Sequence, residues 1–364
     1  MPDRTVRMYN PTHRFDTPAE TFPASDPTVQ WSYDLDARIQ EIAVWNGQVY
    51  VTGVDGSITA FDTTGDLQWQ FKTDGAIRSS PAVVDRTVYV GSRDGRVYGL
   101  DTASGVQRNR FDIYRGISAS PAVVDDTIFV AGTGHGCIYA LDTASEAERW
   151  RFETDGGAVN SSPAVVDGTV YIGDPDGYIY AVDAARGTEI WRFETNMAVN
   201  SSPTVVDGIL YVGSENPIEG EGHIYAVDSS TGTERWCFET GDQVYSSPAV
   251  VNDTVYIGSC DTYVYALDKQ KGTERWRFET GGSVCSSPAV VDETVFVGSG
   301  SPFDNETHVY AIDAATGTEQ WRFETNGSVV SSPVVFDRTL YIGSDDGTLY
   351  ALDGTGMELS KRTA

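Results

Sequence analysis

Basic side chains are scarce in this sequence: of 364 residues, 25 are Lys or Arg against 53 Asp or Glu, a formal charge of −28. Lysine is confined to Lys72, Lys269, Lys271 and Lys361. A surface so poor in cations lacks the phosphate-neutralising footprint of a nucleic-acid binder, so no nucleic-acid partner is expected. No apolar run approaches the roughly 20 residues that cross a bilayer as a helix, so no membrane span is expected either. Cysteine is limited to Cys137, Cys237, Cys260 and Cys285, with no adjacent pair and no metal-ligand spacing. They read as isolated small residues of strands and loops. The opening residues, Met1-Pro2-Asp3-Arg4-Thr5, lack the apolar core of a signal peptide. As written, the sequence points to the cytoplasm; export is the alternative if the true start lies upstream of Met1.

The acids that are present run evenly along the chain rather than forming a tail. An even acidic coat suits strong salt, where self-repulsion is screened, and a halophilic, haloarchaeal source is the expectation. Aromatics and glycine are plentiful: 37 Gly, 19 Tyr, 14 Phe and 8 Trp, with 40% hydrophobic residues overall. That content supports a large core with many turns and excludes global disorder.

A repeat organises nearly the whole chain. The Ser-Pro element recurs at Pro81, Pro121, Pro163, Pro203, Pro248, Pro288 and Pro333, and Ile42 holds the same column in a degenerate first copy. Each copy reads as four short strands separated by turns. In one, Pro163–Val166 is followed by the Asp167-Gly168 hairpin, then Thr169–Ile172, Tyr178–Val182 and Ile190–Glu194. The charged face of the last strand discourages edge pairing, as an outer strand requires. Spacings of roughly 41 residues and four strands per unit give an all-β fold, an eight-bladed β-propeller of four-stranded antiparallel blades. The outer aromatic column begins at Trp31, ahead of the first inner strand, and ends at Ser360. The strand around Val29–Tyr33 is therefore expected to complete the eighth blade and close the ring. Residues 1–27 form an extended Pro-rich tail, and 28–364 the propeller.

The pattern Ala226-Val227-Asp228 through Gly232 to Trp236 recurs in register with Ser-Ser-Pro over about residues 28–360. It resembles the tryptophan-docking motif of pyrroloquinoline-quinone-type (PQQ-like) propeller repeats. That resemblance implies the fold of quinoprotein alcohol dehydrogenases and of outer-membrane assembly lipoprotein propellers, with each Trp ring stacked between the motif Ala and the backbone of the next blade. Blade two departs from it, with Gly99 for Ala and Asn109 for Trp, and its junction is expected to be the weakest.

Columns filled in every blade are scaffold, because one site does not need eight copies. This removes the Ser-Ser-Pro serines, the turn Asp-Gly pairs and the Trp column from consideration as catalysts, and no catalytic residue is assigned. The position before Ser-Ser lines the channel mouth on the top face: Ile39, Arg78, Ser118, Asn160, Asn200, Tyr245, Cys285 and Val330. Of these, Arg78, Asn160, Asn200 and Tyr245 are candidates to bind a small anionic or carbonyl-bearing ligand. Ile218 and Glu219 in the blade-five insertion, and Phe303 and Asp304 in the blade-seven insertion, are candidates for partner binding. His135, His223 and His308 fall in top-face turns too widely separated around the ring for one zinc ion, so no metal is expected.

A quinone-dependent dehydrogenase would need a stacked cofactor, calcium and an Asp base. The mouth column has no Asp, and the chain lacks the adjacent cysteine pair and long insertions of those enzymes, so no cofactor is expected. The leading reading is a non-catalytic, monomeric scaffold that grips a protein partner across its top face. A small-molecule sensor at the channel mouth is the alternative, and a quinone-dependent dehydrogenase the lesser one.

Overall fold

The computed structural model describes residues 26–113, 115–134, 136–195, 197–216, 220–300 and 307–353. Eight separate four-stranded antiparallel sheets follow one another along the chain. Blades one to seven each use four consecutive strands; blade one, for example, comprises Ile39–Trp45, Gln48–Gly53, Ser57–Asp62 and Leu67–Lys72. The eighth takes Val334–Phe336, Thr339–Gly343 and Thr348–Asp353 from the end of the chain and Thr28–Asp34 from its beginning. Trp31 lies opposite Ala351, as Trp236 lies opposite Ala226, so the N-terminal strand occupies the regular outer position.

Local chemistry explains the blade. Apolar runs such as Val255-Tyr256-Ile257 are buried on both faces and occupy the middle strands, whereas the outer Glu274–Glu279 alternates exposed charge with Trp276 and Phe278. The inner hairpin turns on two residues in the left-handed region, such as Asp167 (φ 48°) and Gly168 (φ 74°), which matches the twist of the flanking strands. Each core cluster draws side chains from two neighbouring blades, so no blade has a complete core of its own.

The repeated columns brace the ring. The indole Nε1–H groups of Trp31, Trp69, Trp150, Trp191, Trp236 and Trp276 donate to backbone carbonyls of the next blade at 2.9–3.0 Å. A glycine with positive φ faces each ring; a Cβ on Gly105 (φ +68°) would come within 2.6 Å of Trp69. Blade two breaks this arrangement on both sides. Asn109 replaces the indole and donates to Thr143 O at 3.4 Å and to Glu146 Oε1 at 3.1 Å. Glu146 holds the position of the missing glycine, at φ 59°.

The two serine columns have separate structural roles. The first hydroxyl accepts from its own blade and in several copies donates there too: Ser286 Oγ donates to Gly298 O and accepts from Gly298 N–H, both at 2.8 Å, whereas Ser201 Oγ accepts from Gly213 N–H and donates to Ser246 O of the next blade. The second joins blade to blade. The N–H of Ser80 donates to Ser120 Oγ (2.8 Å), that of Ser120 to Ser162 Oγ (2.9 Å), and that of Ser162 to Ser202 Oγ (3.0 Å). The relay continues through Ser247 and Ser287 to Ser332, whose N–H reaches Glu41 Oε2 at 3.4 Å. The Glu41 carboxyl also bonds Ser80, so one carboxyl takes the eighth hydroxyl's place and closes the circle.

Candidate functional site

The top face is assembled from two connections per blade. The turn between the second and third strands donates an N–H to the segment entering the inner strand, as Arg93 does to Ala76 O and Cys260 to Gln243 O; in blade five, where the second strand runs on to Asn216, Glu215 does so to Ala198 O. These turns therefore stand beside the residues that precede Ser-Ser-Pro. The repeat fixes the backbone here, and the side chains vary.

Ile39 is a correction to the mouth column. It is fully buried, and its Cγ2 would meet a Cβ on Gly343 at 2.3 Å, as Ile117 would meet one on Gly91. The pairing register shifts between Ile39 and Glu41. Blade one is thus a residue short at this point, and Ile39 belongs with Ile77, Ile117 and Val199 beneath the rim.

The four candidate ligand residues separate into two groups. Asn160 Nδ2 donates to Asn200 Oδ1 at 3.2 Å, and Asn200 Nδ2 donates in turn to Glu215 Oε1. Tyr245 joins the same cluster: burial, then its interaction with the Glu215 carboxylate, pushes its phenol above the ordinary range. Glu215, which column counting does not single out, is the buried centre, 3% exposed, and meets both Asn200 and Tyr245. Its place directly after Ser214, near the end of the strand Ile209–Asn216, is the sequence signal that marks it.

Arg78 stands apart, on blade two. Partial burial and then the like charges of Arg93 and Arg38 lower its titration. Arg38 has a partner, with Nε 2.6 Å from Asp345 Oδ1. Arg93 Nε donates to Ser118 Oγ at 3.3 Å, and its backbone adjoins Gly116, next to Arg115. Among the described residues, no carboxylate pairs with Arg78, Arg93 or Arg115, and all three are exposed. In a chain with twice as many acids as bases, an unneutralised arginine arc is an anomaly of placement. The rim is therefore positive over blades two and three and carries Glu215 and Asp242 over blades five and six.

The four cysteines do not all read as isolated. Cys137 is buried and Cys237 exposed, but Cys260 Sγ lies 3.7 Å from Cys285 Sγ across the junction of blades six and seven. The histidines depart from the expected turns: His223 lies within Glu221–Asp228 and His308 opens His308–Asp313. His223 Nδ1 contacts Met197 Sδ at 3.1 Å. Among the described residues, no three His, Cys, Asp or Glu side chains converge as metal ligands. His135, Ile218, Glu219, Phe303 and Asp304 lie outside the described residues.

The fold raises the question of a quinone with calcium, and the donor set answers for the ion. Calcium takes six to eight oxygens. Asn200 Oδ1 and Glu215 Oε1 already accept from amide donors, and the remaining oxygens of Asn160, Glu215 and Tyr245 are too few for that shell. The rim residues as arranged do not fit that ion, and no step is derived through it.

The family model described as "Outer membrane protein assembly factor BamB" matches residues 21–116, 107–218, 175–301 and 220–363. Among solved structures, BamB from Moraxella catarrhalis aligns over 92% of this chain and 100% of its own, at 24% identity and TM-score 0.74. Quinohemoprotein alcohol dehydrogenase from Comamonas testosteroni aligns over 97% of this chain and 80% of its own, at 16% identity and TM-score 0.75. The computationally designed Ika8 protein aligns over 87% and 96%, at 18% identity and TM-score 0.74. These likenesses show the fold. No curated protein sequence matches.

Proposed function

We propose, for a chain that belongs to the family described as outer membrane protein assembly factor BamB, a non-catalytic role as an interaction scaffold that grips a protein partner across its top face. The observation that carries this reading is the arginine arc of Arg78, Arg93 and Arg115, exposed and without a carboxylate partner among the described residues. Clustered like charges raise the free energy of the isolated ring, and an acidic partner segment removes that cost while the remaining coat repels other approaches. In this reading the Trp–Gly contacts are the docking motif of the PQQ-like repeat, the coat suits a high-salt organism, and the ring works as a cytoplasmic monomer. Ile218 and Phe303, which lie outside the described residues, are the candidate apolar anchors for that partner.

A second reading, a small-molecule sensor, is supported by the Asn160–Asn200–Glu215 chain beside Tyr245. Affinity capture from source cells at native salt separates the two. The scaffold reading predicts a protein recovered by the wild type, lost with the pair Arg78→Glu and Arg93→Glu, and reduced with Ile218→Ala and Phe303→Ala. Equal recovery by all three contradicts it. A small molecule retained by the wild type and lost in Asn200→Ala supports the sensor.

A further inference from the structure

We propose that Cys260 and Cys285 form a redox-responsive dithiol, a modification site that small-molecule disulfides convert into a covalent link between blades six and seven. The two residues are 25 apart in sequence, yet their sulfurs stand 3.7 Å from each other. Ring geometry creates the pair. Cys260 occupies the turn between the second and third strands of blade six, and Cys285 immediately precedes Ser-Ser-Pro of blade seven; the same two segments adjoin where Val244 N–H donates to Ser214 O and Val329 N–H to Ser299 O.

Both backbones are pinned. Cys260 N–H donates to Gln243 O at 2.9 Å, and its carbonyl accepts from Ser283 Oγ at 3.3 Å. Next to Cys285, Val284 N–H donates to Ser259 O at 3.0 Å, and Ser286 Oγ to Gly298 O at 2.8 Å. The facing sulfurs are thus held by the scaffold, and both residues are partly exposed, which gives a reagent access.

The chemistry balances with an external disulfide. One protein thiolate attacks a sulfur of the reagent, forming a mixed disulfide and expelling one thiolate. The second protein sulfur, after losing its proton, attacks the mixed disulfide and expels the other. The protein loses two protons and two electrons, the reagent gains the two electrons, and a dithiol reductant reverses the sequence. The surroundings favour the resting thiol form: the bond to Cys285, burial, and the negative charges of Asp242 and Glu215 all push the Cys260 thiol upward, with Tyr245 on the same side. Because the thiolate is the nucleophile, exchange at this pair is slow near neutral pH and accelerates as pH rises.

The test uses the full chain and oxidised glutathione at pH 8, followed by alkylation and mass spectrometry without reduction. A peptide pair joined through Cys260 and Cys285, absent after dithiothreitol treatment, is expected in most molecules. In Cys285→Ser, glutathione should remain attached to Cys260 and the cross-link should vanish. Stable glutathione adducts on both cysteines of the wild type, or both thiols left unmodified while Cys237 reacts, would overturn the proposal.

Discussion

Blades one to three and blades four to seven are built from the same repeat, yet they use it differently. Blades four to six keep the regular Trp–Gly contact at their junctions, as Trp236 does with Gly272, and variation in the later blades is concentrated at the rim, in Asn160, Asn200, Glu215, Tyr245 and the Cys260–Cys285 pair. The earlier blades depart from the scaffold itself: Glu41 replaces a relay serine, Asn109 and Glu146 replace an indole and its glycine, and the arginines above them lack acidic partners among the described residues. Departures from scaffold columns cost stability unless something offsets them, and here they gather beneath the positively charged stretch of rim.

The largest intrinsic effect is expected at Glu41. Burial raises its carboxyl from the ordinary 4.5 to about 8, against the lowering influence of its bonds to Ser332 and Ser80. Between those values the folded protein holds a proton that the unfolded chain has released, so stability falls as pH rises from about 4.5 to 8 and is lowest above. The residue as a whole keeps some exposure and its carboxyl is offset by the bonds to Ser332 and Ser80, so the share removable by Glu41→Gln is on the order of 1–3 kcal/mol. Melting temperatures at pH 5 and pH 9 should converge in that variant relative to the wild type. An unchanged pH dependence would show that Glu41 is not the blade-one weakness described here.

A smaller effect is expected at the junction of blades two and three. Restoring both halves of the contact, with Asn109→Trp and Glu146→Gly together, should raise stability by about 1–2 kcal/mol through burial of the indole and relief of the positive φ at a non-glycine residue. Either change alone should gain less, because a ring set against Glu146 lacks its seat, and Glu146→Gly by itself adds backbone entropy to the unfolded chain. A thermal-melting double-mutant cycle measures the coupling; strict additivity would mean that the two positions do not act as one contact. Adding Gly99→Ala should cancel part of the gain, since a Cβ there would meet Tyr89 Cε1 at 2.8 Å.

The periodic features are legible in the sequence itself. Ser-Ser-Pro, the Trp column and the N-terminal strand recur at fixed spacing, and a fixed spacing of four-strand units closes into one architecture. The exceptions are only half legible. Glu41 is visible as a break in the serine column, but its use as the eighth relay acceptor depends on the reach of its side chain. Ile39 is displaced from the mouth by a one-residue shortfall that counting from the repeat hides. Asn160 and Asn200 meet as their shared column implies, whereas Glu215 comes to their centre from a different column, and Arg78 belongs with Arg93 and Arg115. The Cys260–Cys285 contact joins two columns of different blades, so no single column reveals it. Asn109 and Gly99 are readable as losses, and Glu146 completes them because the facing glycine comes from the next copy.

The central claim is that an acidic segment docks on the arginine arc of a protein that otherwise repels acids. Calorimetric titration of a poly-glutamate peptide into the full chain, at graded salt concentrations, tests it most directly. Saturable binding with one site per chain is expected, weakening as salt rises and at least tenfold weaker in Arg78→Glu/Arg93→Glu. Absence of binding by the wild type at every salt concentration, or equal binding by the reversed variant, would contradict it.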